Sequence, residues 1–82
     1  MKTLFVANLG VKTTEDQVRL VFELHGDIDY VQIARDPGSG LSRGVAFVKM
    51  CDSKLASGMA KSMTGTMIDG RSIRVSLLSR NN

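Results

Sequence analysis

The 82-residue sequence predicts an α+β fold whose elements follow in the order βαββαβ. Four segments alternate apolar and polar residues with the period of a strand. Two others repeat apolar residues at helical spacing, and turn residues separate all six. Two helices can cover only one face of the predicted four-stranded antiparallel sheet. The other face must therefore meet solvent or a partner, and functional residues are expected there.

The first strand and helix are predicted from the N-terminal third of the chain. Residues 3–9, Thr-Leu-Phe-Val-Ala-Asn-Leu, are rich in strand formers. Residues 14–17, Thr-Glu-Asp-Gln, have the spacing of a capping box and should begin the helix. Gly26 is expected to end it in a left-handed conformation. The stripe predicted to face the core carries Val18, Val21, Phe22 and a partly buried His25.

The middle of the chain predicts an antiparallel hairpin. Residues 36–40, Asp-Pro-Gly-Ser-Gly, are the clearest turn and contain the only proline. This turn joins a strand over residues 28–35 to a strand over residues 43–50. In the first of these, Val31 and Ile33 share one face.

The C-terminal third predicts a helix and a final strand. Asp52 or Ser53 should cap the helix, and Gly65 should close it. Its apolar face carries Ala56, Met59, Ala60 and Met63. The final strand spans residues 71–77, with Ile73 and Val75 pointing inward. We expect one domain over residues 1–82, with a core of about 3–77 and the two-layer architecture of a ferredoxin-like sandwich.

Aromatic residues are predicted to lie mainly outside the core. The chain has three phenylalanines, one tyrosine and no tryptophan. Because side chains alternate across a strand, placing Leu4 and Ala46 inward leaves Phe5, Phe47 and Tyr30 on the uncovered face. Exposed aromatics with nearby cations are typical of a base-stacking platform. Two alternatives are a strand parity shifted by one residue and an apolar patch that binds a protein or a terminal extension.

Composition narrows the classes of function. A net charge of +3 suits an anionic partner without identifying it. One histidine and one cysteine, far apart, form no metal-ligand spacing and no nucleophile–base pair, so we expect neither an enzyme nor a cofactor. Cys51 is expected to be a buried or half-buried apolar residue, in a reducing compartment. Without a secretory signal or an apolar run of ~20 residues, we expect an intracellular protein, in nucleus or cytoplasm, with no membrane partner.

Two segments resemble the paired signatures of the RNA recognition motif family. Residues 4–9, Leu-Phe-Val-Ala-Asn-Leu, resemble its hexamer, and residues 43–50, Arg-Gly-Val-Ala-Phe-Val-Lys-Met, resemble its octamer. Asp-Gly-Arg at residues 69–71 extends the likeness over nearly the whole chain. The resemblance implies that Phe5 and Phe47 each stack a base and that Arg43 contacts phosphate.

Two positions depart from that pattern. Val45 stands where the family usually has an aromatic wedged between two sugars, which weakens one contact. Met50 replaces a final aromatic, but it is predicted to point inward and to change packing only. The candidate RNA-binding residues are Phe5, Phe47, Arg43, Val45, Tyr30, Gln32, Lys49 and Arg74. Leu78 and Arg80 are expected to cross the sheet or follow the RNA.

The expected ligand is single-stranded RNA of about two to four nucleotides, bound by a monomer. We expect the chain to be one domain of a larger protein, with other ribonucleoprotein domains as further partners. The competing hypothesis is a protein-interaction module that uses the same sheet face or the helical face. Family members that capture a tryptophan-bearing peptide carry Arg-x-Phe, whereas residues 71–73 are Arg-Ser-Ile.

Overall fold

The computed structural model describes residues 3–78 and confirms the predicted order of elements. Its helices are α1 (Glu15–Glu23) and α2 (Ser53–Met63), and its strands are β1 (Thr3–Ala7), β2 (Ile28–Arg35), β3 (Ser42–Met50), β4 (Met67–Ile68), β5 (Arg71–Ser72) and β6 (Arg74–Leu77). The main sheet is antiparallel, with the strand order β2-β3-β1-β6. Strands β4 and β5 form a separate two-stranded sheet.

One hydrophobic core lies between the main sheet and the two helices. Leu4 and Val6 of β1, Ala46 and Val48 of β3, and Phe22 of α1 are completely buried. The predicted strand parity is therefore confirmed, and the shifted alternative is wrong. Apolar burial of this kind contributes about 25 cal/mol per Å². Its consequence for function is that the odd-numbered side chains of β1 and β3 are left on the uncovered face.

The capping box at the start of α1 is confirmed, but the predicted end of the helix is wrong. Gln17 Oε1 accepts a hydrogen bond from the Thr14 N–H at 2.8 Å, and the Thr14 hydroxyl accepts one from the Gln17 N–H. The helix ends at Glu23, so the buried stripe stops before His25, which is exposed instead of partly buried.

Gly26 is not left-handed, and a different constraint acts on it. A Cβ there would lie 3.1 Å from Leu55 Cδ1 and 3.2 Å from Met50 Cε, so close packing against α2 and β3 favours glycine.

The start of α2 brings one confirmation and one correction. Asp52 is the N-cap, and its carboxylate accepts a hydrogen bond from the Lys54 N–H at 2.9 Å. Cys51 is exposed, contrary to the expected burial, because Met50 takes the last inward position of β3 and the chain then turns away. Gly65 follows the end of α2 with a φ of +95°, as predicted. Neither helix within residues 3–78 is long and apolar enough to cross a membrane.

The predicted final strand is interrupted, and the hairpin before it was not predicted. Asp69 and Gly70, with φ of 52° and 75°, join β4 to β5 through a turn with two left-handed residues. An Asp-Gly pair between short strands is a known signal for such a turn. Ile73 separates β5 from β6, because its N–H donates to Thr66 O at 2.9 Å and its carbonyl accepts from Gly65 N at 2.8 Å.

Candidate nucleic-acid interface

The uncovered face of the main sheet presents its side chains in three rows set by the strand register. The first row is Tyr30, Lys49 and Thr3; the middle row is Gln32, Phe47, Phe5 and Ser76; the third row is Val45, Ala7 and Arg74. Adjacent members of the first two rows are register partners. In the third row, Ala7 pairs with Arg74, and the register of β1 and β3 continued by one residue places Val45 beside Ala7.

The middle row contains the two phenylalanines predicted to stack bases. Phe5 and Phe47 are half-exposed cross-strand partners whose ring centroids lie 5.7 Å apart at an interplanar angle of 57°. Aromatic pairs favour such tilted contacts over face-to-face ones, by about 0.5–1.5 kcal/mol. Because the planes are tilted, the rings present two separate stacking surfaces.

Tyr30 and Lys49 of the first row interact with each other. The Lys49 ammonium lies 5.8 Å from the centroid of the Tyr30 ring and 3.9 Å from Asp29 Oδ2. The sequence predicts two independent contacts here, one with a base and one with phosphate. In the structure the two side chains make a cation–π contact with each other, so a base that stacks on this face of the ring has to displace the ammonium.

Gly44 separates Arg43 from Val45 and brings β3 close to the end of β1. Its φ is +78°, its carbonyl accepts a hydrogen bond from the Leu9 N–H at 2.8 Å, and a Cβ there would lie 2.9 Å from Leu9 O. Both the left-handed backbone and the close approach exclude a side chain. The glycine of the octamer thus has a structural reason, and Arg43 next to it is exposed.

Asn8 ends β1 two residues earlier than predicted, with a left-handed φ of 66°. Arg71 holds it there: Nε donates to Asn8 O at 3.1 Å and a terminal nitrogen donates to Asn8 Oδ1 at 2.8 Å. Asn8 Nδ2 in turn donates to Ser72 O at 2.8 Å. Asn8 was not among the predicted site residues; Asn in a hexamer position just before a turn was the available signal, since it tolerates positive φ.

Asp69 connects the β4–β5 hairpin to the start of α1. Its carboxylate accepts hydrogen bonds from the buried Thr13 hydroxyl and from Gln17 Nε2, each at 2.8 Å. The segment 69–71 therefore has three structural tasks: Asp69 binds α1, Gly70 makes the turn, and Arg71 fixes the end of β1.

An ion pair lies at the free edge of β2. Glu15 accepts hydrogen bonds from Arg35 at 3.3 Å and from the Ile33 N–H at 3.4 Å. Partial desolvation raises the pKa of the Glu15 carboxyl, but the N–H groups of Glu15 and Ile33 and the Arg35 guanidinium outweigh it and hold that pKa below its usual range. The carboxylate is thus charged at neutral pH and neutralises Arg35.

A shallow cleft of about 530 Å³ next to this ion pair brings three predicted site residues together, namely Gln32, Arg43 and Phe47. Arg74 lies across the sheet from them, and Leu78 continues the pairing with β1 through an N–H bond of 2.9 Å to Thr3 O. Arg80 lies outside the described residues. Within residues 3–78, no group of three His, Cys, Asp or Glu side chains is arranged to hold a metal ion.

Comparisons with known proteins agree with this architecture. The profile of the RNA recognition motif family matches residues 4–74. Human serine/arginine-rich splicing factor 8 is 41% identical over 75 residues, which cover 92% of this chain and 27% of that protein. The chain spans about a third of the length of the curated relatives that it matches.

Two solved structures support the same assignment. The second RRM domain of the yeast poly(U)-binding protein has a TM-score of 0.85 at 26% identity, over 98% of this chain and 96% of that one. The Sex-lethal protein/RNA complex has a TM-score of 0.87 at 25% identity, over 99% of this chain and 48% of that one. From the match over residues 4–74 and the shared fold, the chain belongs to the RNA recognition motif family of RNA-binding domains.

Proposed function

We propose that this domain binds about two to four nucleotides of single-stranded RNA on the uncovered sheet face, with one base stacked on Phe5 and the next on Phe47. The observation that carries the proposal is the cross-strand pairing of these two rings at 5.7 Å on the face opposite the core. Hydration of the half-exposed phenylalanine rings on the uncovered face is unfavourable in free energy, because the rings are apolar. Bases that cover them remove that cost.

Cations beside the rings supply the contacts to phosphate. Arg43 and Arg74 form no salt bridge with any residue between 3 and 78, whereas Lys49 faces Asp29 and Arg35 faces Glu15. The two arginines are therefore free to neutralise phosphates, one on each side of the phenylalanine pair. Gln32 is the register partner of Phe47 and would hydrogen-bond the edge of a base stacked on that ring.

The relatives suggest the setting in which such binding acts. Because two splicing factors that the chain resembles share 41% and 40% identity with it, we propose a role in RNA processing within a ribonucleoprotein assembly, in the nucleus or cytoplasm. Catalysis is no part of this proposal.

The test is an NMR titration of wild-type protein and of a Phe5→Leu/Phe47→Leu double variant with a degenerate trinucleotide RNA. Leucine keeps apolar volume on the sheet but removes the flat ring surface. Stacking is worth about 1–3 kcal/mol per base, so the double variant should bind at least about 30-fold more weakly. Leu24→Ala, at an 82% exposed position on the helical side, is the control and should bind as wild type. Unchanged RNA affinity in the folded double variant would refute the proposal.

A protein-interaction surface on the helical side is the second candidate, and one observation favours it. Leu20 and Leu24, four residues apart along α1 and its C-cap, are 67% and 82% exposed. Leucines at this spacing lie on one side of a helix and form an apolar strip. If the strip binds a protein, Leu20→Ala/Leu24→Ala should abolish that interaction and leave RNA affinity unchanged.

A further inference from the structure

The uncovered face does not end at β6 but is widened at one corner by the chain that follows α2. Gly65 N–H donates to Ile73 O, and Ile73 N–H donates to Thr66 O. Thr64 Oγ1 accepts a hydrogen bond from Val75 N at 3.0 Å, so residues 64–66 lie beside the strand as an extra edge. This edge, the end of β1 and residues 72–74 enclose an open cavity of about 480 Å³, which we call the corner pocket.

The corner pocket is continuous with the proposed RNA surface. Ala7 and Arg74, which form part of the third row of the face, also line the pocket. Phe5 stands two residues before Ala7 on the same face of β1. A nucleotide adjoining the one stacked on Phe5 therefore has a direct path into the pocket. The volume lies within the range of about 300–1,000 Å³ typical of ligand sites.

The pocket is held in shape by the hydrogen bonds of Asn8. Arg71 fixes the Asn8 carbonyl and side-chain oxygen, and Asn8 Nδ2 donates to Ser72 O. A primary amide carries two N–H hydrogens, so Asn8 retains one donor after this bond. Gly65 lines the opposite side, and that side is open, since even an added Cβ would meet no atom within 4 Å.

The chemistry of the lining selects one part of a nucleotide. Among the described residues that line the pocket none is aromatic, so a base would find no ring to stack on. The lining instead includes Arg74, Ser72 and Asn8, whose side chains carry a guanidinium, a hydroxyl and an amide. A guanidinium matches the geometry of phosphate, and hydroxyl and amide side chains can hydrogen-bond to the hydroxyl groups of ribose.

We propose that the corner pocket binds the ribose-phosphate of the nucleotide adjoining the one on Phe5, with Arg74 on the phosphate and Ser72 and Asn8 on the sugar. This inference rests on the proposed RNA-binding function and adds to it a subsite that reads backbone chemistry and no base. The domain consequently gains affinity from one nucleotide more than its two rings can stack, whatever base that nucleotide carries.

The test compares a degenerate dinucleotide RNA, whose two bases occupy the two rings, with the same RNA extended by one abasic ribosyl phosphate, at the 5′ end in one probe and at the 3′ end in another. Calorimetry or fluorescence at several salt concentrations gives the gain from each extension within each protein. In the wild type one extension should tighten binding about five-fold. It should also steepen the dependence of log K on log salt by about 0.7, the value for one phosphate on a single strand.

Two variants separate the pocket from the rest of the face. Ser72→Leu fills the pocket and Arg74→Gln removes its cation, so each should abolish most of the gain, and Arg74→Gln should also abolish the steeper salt dependence. Ser62→Leu, at an exposed position of α2, is the matched control and should keep the gain.

The subsite is overturned if neither extension tightens binding, if an ordinary nucleotide is required in place of the abasic one, or if the gain survives in both variants. Failure of RNA stacking itself would show in equal binding of the unextended dinucleotide by the wild type and by the Phe5→Leu/Phe47→Leu variant. The two failures are therefore distinguishable.

Discussion

Val45 is the position at which a single substitution should strengthen RNA binding. It is half-exposed on β3, beside Ala7 in the third row and two residues before Phe47 on the same face. The short side chains of Ala7 and Val45 leave a shallow area of the surface next to the two phenylalanine rings. Val45→Phe would raise a third ring there, at the place where the family resemblance implies a wedge between two sugars.

The expected gain follows from the apolar area that the new ring brings against the RNA. If a phenylalanine covers about 40 Å² more than valine in the complex, at about 25 cal/mol per Å², binding improves by about 1 kcal/mol, or roughly five-fold. Folding stability should change by less than about 0.5 kcal/mol, because the side chain lies on the uncovered face and not in the core.

Titration of a degenerate trinucleotide RNA into wild type, Val45→Phe and Val45→Leu measures this gain. The leucine variant adds apolar atoms without a flat ring and should gain clearly less. The reasoning is refuted if the phenylalanine variant, shown to be folded by its amide spectrum, binds no more tightly than the leucine variant.

Three further predictions concern stability and coupling. Gly44→Ala should lower the free energy of unfolding in urea by about 2 kcal/mol more than Gly40→Ala does. Both glycines have φ near +75°, but only at Gly44 would a Cβ meet backbone atoms. Equal losses would contradict the close approach. Because the pKa of the Glu15 carboxyl is lowered in the folded protein, the stabilisation that it contributes is complete above the unfolded pKa of about 4.3 and is lost as pH falls through the folded pKa. Glu15→Gln should therefore flatten the acid limb of a plot of unfolding free energy against pH. An unchanged limb would show that the ion pair has no effect. A double-mutant cycle on Tyr30→Leu and Lys49→Gln in urea unfolding should give a coupling of about 0.5 kcal/mol, and additive effects would mean that the cation–π contact adds nothing.

The layers of the fold were predictable because each depended on a local pattern. The alternation in residues 3–9 and 43–50 placed Leu4 and Val48 in the core, and the Thr14–Gln17 spacing placed the start of α1. In both cases the residues that decide the structure are neighbours in sequence.

The features that were missed depend on contacts between distant parts of the chain. Asn8 is fixed by Arg71, which is 63 residues away, and Ile73 leaves the strand to bond with residues 65 and 66. Neither pairing has a periodic signal. The Asp69-Gly70 turn did have one, and reading it as a hairpin would have predicted β4 and β5. The cation–π contact of Lys49 likewise required the β2–β3 register, which includes a shift between Ile28 and Tyr30.

The missing aromatic and the corner pocket both belong to the third row, and together they suggest how the domain holds RNA there. Val45 and Ala7 offer little surface for stacking, whereas Arg74 and the adjoining pocket offer charge and hydrogen bonds. These two kinds of contact respond differently to salt, because only phosphate neutralisation releases counterions. Val45→Phe should thus raise RNA affinity equally at all salt concentrations, while Arg74→Gln should lower it most at low salt. If stacking and charge act separately in this row, the plot of log K against log salt for Val45→Phe should run parallel to that of the wild type. The plot for Arg74→Gln should converge with the wild-type plot as the salt concentration rises.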